Sequence, residues 1–254
     1  MLAISATQME LLRQAAVEAF VSRTLHHVEA HFSTHRQIIG EAQMRAVIRL
    51  AVERAGRHGF TTERDVSLYL NLMLLLGSAF DADAQLPWAA QILSDAELTD
   101  PQERIDRLYD AAVDYLEKVA GARNEHPEPA RERMVAAIQR KVPAVPASDF
   151  GNLALSVLRW ICPRKFEVAG GGAIRVFARQ SLQAAQVYGV LSHDSALLYL
   201  AMAYMLGGGF DRDPQYPWAG SILLGASAAD AAGRFERLRK TAVSELSRWT
   251  ARAG

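Results

Sequence analysis

The chain has 254 residues, half of them hydrophobic, and its 28 basic side chains are balanced by 28 acidic ones. That balance leaves no global field to draw it to nucleic acid or anionic lipid, and the single cysteine, Cys162, excludes an internal disulfide and suits a reducing compartment. The apolar content is enough for one large domain or two small ones with cores of their own.

The opening "MLAISATQMELLRQ" lacks the basic start, long apolar run and small-residue cleavage site of a secretory signal, so a cytoplasmic location is expected. Thr7 with Glu10 reads as a capping box opening a helix that runs through "MELLRQAAVEAFVSRTLHHVEAHF". A second helix covers "EAQMRAVIRLAVERAGRHG" and stops at Gly59. Thr62 caps a third, with Asp65 set against the free amides of its first turn. Leu68, Leu72, Leu75 and Leu76 space its apolar face, and Gly77 ends it. Its apolar window, Val66 to Phe80, is interrupted by Asn71 and Gly77 and falls short of the roughly 20 residues a membrane span needs, so a buried helix is expected. Pro87 starts a short fourth helix, "PWAAQIL". A fifth begins near Pro101 and carries Ile105, Leu108, Ala112, Tyr115 and Leu116 on a helical period.

An offset of 130 residues then lays the chain on itself. "LLGSAFDADAQLPWAAQIL" from Leu75 returns as "MLGGGFDRDPQYPWAGSIL" from Met205, keeping Gly, Phe, both Asp, Gln, Pro and Trp in place. Gly59 meets Gly189, Arg104 meets Arg234, and Ala112-Val113 meets Ala242-Val243 without a gap. The expectation is an all-α protein of two tandem homologous helical bundles from an internal duplication, about five helices each. Residues 1–120 form the first unit, 121–130 ("GARNEHPEPA") a polar linker, and 131–254 the second unit.

The repeated turn is the leading candidate site: Gly77, Phe80, Asp81, Asp83, Pro87 and Trp88, with Gly207, Phe210, Asp211, Asp213, Pro217 and Trp218. Paired aspartates suit a hard cation or acid–base chemistry. The further oxygen ligands, glycine and distal glutamate of a calcium loop are missing. A scaffold role uses every residue instead. The glycine ends a helix, the phenylalanine returns to the core, an aspartate accepts from loop amides, and the proline starts the next helix. The tryptophan buries its ring and finds an acceptor for its N–H. No catalytic, cofactor or metal role is therefore expected of these residues.

Other features carry weaker signals. His27, His31 and His35 fall at spacings of four, but the zinc pattern with an adjacent glutamate is absent and the second copy has Val157, Ile161 and Lys165 there. That substitution pattern places the first two on a packed face. "VAGGGAIR", Val168 to Arg175, lacks the lysine and preceding strand of a phosphate loop and reads as a flexible connection between helices. Cys162, followed by Pro163 and without a histidine partner in sequence, reads as a buried thiol.

The string "HGFTTERDVSLYLNLMLLLGSAFDADAQLPWAAQIL" with the following "RIDRLYDAAVDYL" resembles a module of poorly characterised bacterial proteins encoded near type VI secretion effectors and their PAAR-tip or adaptor partners. The second copy departs from it, reading "SHDS" where the first reads "TERD". The resemblance implies an accessory, non-enzymatic protein that binds a secreted toxin effector in the producing cell as adaptor or chaperone. A cytosolic immunity protein is the alternative, and a metal protein or enzyme using the Asp-x-Asp loops a second one. No cofactor, nucleic acid, membrane span or small-molecule ligand is expected.

Overall fold

The computed structural model describes residues 5–142, 145–190, 192–225 and 231–251. Among them every regular element is helical, in thirteen α-helices and two 3-10 turns. In order these are α1 (Ala6–His31), α2 (Ser33–Ile39), α3 (Glu41–Arg57), α4 (Glu63–Leu76), α5 (Pro87–Leu93), α6 (Pro101–Ala120) and α7 (Pro127–Gln139). They continue with α8 (Ala147–Ile161), α9 (Pro163–Ala169), α10 (Gly171–Ala185), α11 (His193–Leu206), α12 (Pro217–Leu224) and α13 (Ala231–Ala251). The 3-10 turns are Phe80–Ala82 and Gln186–Tyr188. No helix among the described residues is long and apolar enough to cross a membrane.

Helix ends follow local chemistry. Thr62 accepts from the Asp65 amide to open α4, and Asp100 accepts from the Gln102 amide to open α6. Pro87, Pro101, Pro127, Pro163 and Pro217 each occupy the first turn of a helix, where a missing N–H leaves nothing unpaired.

Several expectations are corrected. The capping box of α1 is Ser5 with Gln8 rather than Thr7 with Glu10. The first helix breaks at Phe32, so the short α2 intervenes before α3. Of the stretch read as a flexible glycine connection only Gly170 lies outside helix, and Gly171 already belongs to α10. The segment read as a linker gives its last four residues, Pro127 to Ala130, to α7. Among the described residues six helices precede Gly121 and seven follow it, where about five each are expected.

Starts recur 130 residues apart: Ser33 and Pro163, Glu41 and Gly171, Glu63 and His193, Pro87 and Pro217, Pro101 and Ala231. Buried apolar side chains fall in two clusters, one between Phe20 and Tyr115, the other between Ala130 and Leu246. Each fully buried Leu, Ile or Phe stabilises by roughly 1.5–3 kcal/mol, so each cluster is a core in its own right.

Helix α7 packs against α8, α11 and α13. Its Ala130, Met134 and Ile138 are buried, and Arg239 of α13 donates to the Ile138 carbonyl at its end. Asp194 receives Arg239 at 2.5 Å and the Val142 amide at 2.9 Å, which gives the "SHDS" departure a structural purpose. Under this cover ten consecutive residues of α11, Ser195 to Tyr204, are buried. In α4 the positions matching Leu197 and Ala201 are Ser67 and Asn71, both partly exposed.

Candidate functional site

The C-terminal ends of α4 and α11 meet. Gly77 and Gly207 both take positive φ, +98° and +102°. A Cβ on Gly77 would lie 2.9 Å from the Leu206 carbonyl oxygen, and one on Gly207 the same distance from that of Leu76. Only glycine meets both requirements, the left-handed backbone and the close approach. The Phe80 and Phe210 rings that follow are buried against Tyr69 and Tyr199, with centroids 4.9 and 5.0 Å apart.

The two loops then exchange hydrogen bonds. Asp213 accepts from the Ser78 amide at 2.8 Å and the Ser78 hydroxyl at 2.7 Å, both across the meeting point. It also accepts from the amide and side chain of Gln215, at 2.8 and 3.2 Å. Asp83 does the same in the opposite sense, taking the Gly208 amide at 2.6 Å and the amide and side chain of Gln85 at 2.9 and 3.0 Å. Each glutamine reaches on to the opposite helix. Gln215 donates to the Met73 carbonyl in α4 at 2.9 Å, and Gln85 to the Ala203 carbonyl in α11 at 3.3 Å. The Met73 and Ala203 carbonyls already accept from the Gly77 and Gly207 amides, so each glutamine adds a second donor near the end of the opposite central helix. The contact is self-complementary in the manner of a two-fold interface.

Asp81 and Asp211 turn instead into the two cores. Asp81 accepts from Tyr69 at 2.6 Å, His58 at 3.0 Å and Arg54. Burial alone would raise its carboxyl, and the donors from His58, Tyr69 and Arg54 outweigh it, holding the group down at about 2. Asp211 accepts from Tyr188, which stands where the first half has His58. Burial pushes Asp213 upward against the hydrogen bonds from Gln215 and Ser78.

This arrangement suits a scaffold. Four N–H and O–H donors converge on Asp213, a surrounding that repels a cation rather than inviting one. Among the described residues no three His, Cys, Asp or Glu side chains gather as a metal would require. Phe80 and Phe210 reach the cores and Pro87 and Pro217 start helices. Two expectations change. Trp88 and Trp218 are half-buried, and the buried Trp88 N–H finds no acceptor among the described residues. The aspartates also accept from the other loop, not only from their own.

The other predicted residues lie apart. His27 and His31 lie with ring centroids 4.6 Å apart and their planes tilted by 45°, but both are exposed rather than packed, because nothing described covers that face of α1 as α7 covers α8. His35, beyond the break at Phe32, turns to the Leu74 carbonyl. Cys162 is a buried free thiol. Sequence reasoning passed over Ser78, Gln85 and Gln215, although the two glutamines recur at the same spacing as the aspartates. No protein-family model, curated protein or solved structure matches the chain.

Proposed function

We propose that the chain is a non-enzymatic interaction protein, formed by duplication of one helical unit, that serves as an adaptor or chaperone for a secreted toxin effector of the type VI kind. The observation that carries this reading is the crossed pair of loops. Among the repeated residues Gly77 and Gly207, Asp83 and Asp213, and Gln85 and Gln215 meet across the junction, and two joined halves offer a partner related surfaces held at fixed spacing. The N-terminal part of α1 supports it too. Ser5 to Ala16 are all exposed, and Met9, Leu11 and Leu12 hold apolar surface in solvent. The common 130-residue offset of helix starts supports the duplication.

Co-expression with effectors encoded beside it, followed by pull-down, tests this reading. A stoichiometric complex weakened by Leu12→Glu is expected, and the absence of a complex with every neighbour rejects it. Rescue from toxicity in a cell without the secretion apparatus would instead assign neutralisation of the toxin.

A further inference from the structure

A cavity of about 280 Å³ opens beside the meeting point of α4 and α11, walled also by α6, α7 and α9. Lys165 of α9 reaches into it. Its ammonium group donates to the Tyr204 carbonyl in the last turn of α11 and lies 4.9 Å from the centre of the Tyr204 ring. No carboxylate stands within ion-pair distance of it among the described residues. Burial pushes this amine below the ordinary lysine range, against a partial pull upward from Asp83 and Cys162. An amine whose charged form is disfavoured by burial gives up its proton more readily than an exposed lysine, and the neutral form is the nucleophile.

Arg131 of α7 lines the same cavity. It makes no hydrogen bond or ion pair among the described residues, and its buried Nε has no acceptor. A guanidinium with a buried N–H and no carboxylate of its own can donate to an acidic group placed in the cavity. His126 adds a second nitrogen base on that wall, while burial holds the Tyr115 and Tyr216 phenols protonated. Asp83, the wall's carboxylate, is already occupied by three N–H donors.

We propose that this cavity binds a small aldehyde carrying an acidic group, with Lys165 capturing the carbonyl carbon as an imine and Arg131 holding the acid. The amine lone pair forms the C–N bond, and the carbonyl oxygen leaves as water with the two protons of the neutral amine. Hydrolysis reverses the step, and no oxidant or reductant is consumed. The proposal is independent of the protein partner named above, and it departs from the sequence reading, which expects no small-molecule ligand.

Glyoxylate with cyanoborohydride tests it, since reduction fixes the imine on whichever of the four lysines formed it: Lys118, Lys141, Lys165 or Lys240. Peptide mapping of wild-type protein at pH 7 is expected to show Lys165 modified faster than any other lysine, because burial favours its neutral form. Arg131→Gln is expected to slow glyoxylate capture at Lys165 about tenfold while leaving capture of propionaldehyde, which has no acid, unchanged. Label spread evenly over the four lysines, or sparing Lys165, overturns the site. Equal glyoxylate rates in wild type and a folded Arg131→Gln overturn the assignment of the acid. Should that variant not fold, the wild-type lysine distribution still decides the site.

Discussion

Replacing Asp213 by asparagine probes the junction most directly, because the shape is kept and only the acceptor chemistry changes. Oδ2 of Asp213 takes the Ser78 amide and the Gln215 side chain, and Oδ1 takes the Ser78 hydroxyl and the Gln215 amide. An asparagine NH₂ in the Oδ2 position would face two donors. In the Oδ1 position it can donate to the Ser78 hydroxyl, which accepts as readily, but the Gln215 amide is left unpaired. Either way at least one buried donor is orphaned, at about 1–3 kcal/mol, and the bonds that remain lose their charge assistance. Relief from burying a carboxylate, whose presence shows in the upward push on Asp213, offsets part of this. The net expectation is a loss of about 2–3 kcal/mol, read from urea unfolding midpoints at constant slope. In a double-mutant cycle with Ser78→Ala the coupling is expected to be about 1 kcal/mol or more. A loss below about 0.5 kcal/mol, within the range of an ordinary surface change, would refute the reasoning that these bonds join the halves.

Gly77→Ala is expected to destabilise by about 2–4 kcal/mol, since it combines a positive φ of +98° with a Cβ placed 2.9 Å from a backbone oxygen. Gly56→Ala in the open face of α3, with nothing within 4 Å, is expected to gain about 0.5–1 kcal/mol in the same urea assay. Asp81→Asn is expected to lower the melting temperature most near neutral pH. A carboxyl held down at about 2 contributes stability that is complete above the unfolded value near 3.9 and lost as pH falls through 2, so the gap to wild type should close in acid. A gap that stays constant from pH 6 to pH 2.5 would contradict that role. Met134→Ala, at a side chain with 0 % exposure, is expected to cost about 2–4 kcal/mol by chemical denaturation, because α7 seals the second core.

Helix boundaries were legible wherever the chain states them chemically. Thr62, Pro87 and Pro101 open helices and Gly77 closes one, as their types require. The failures came where two signals compete. Ser5–Gln8 and Thr7–Glu10 are both capping patterns, and nothing local ranks them. Pro127 and Pro129 suggested a linker, yet proline in a first turn is as good a helix start as it is a breaker, and the burial of Met134 and Ile138 decided the matter. The break at Phe32 has no proline or glycine to announce it. At the junction the residue types were legible and the direction of their bonds was not. An aspartate that accepts from its own loop and one that accepts from a loop 135 residues away are the same letter in the chain. Lys165 was likewise visible only as a mismatch with His35, because a cavity is a property of several helices at once.

The grip of one loop on the other does not pass through the connection from Gly121 to His126. A nick there would leave in place the bonds of Asp83 and Asp213 across the junction, the two glutamine reaches and the packing of α6 on α9. The covalent tie therefore sets how often the pieces find one another, rather than how tightly they are held once met.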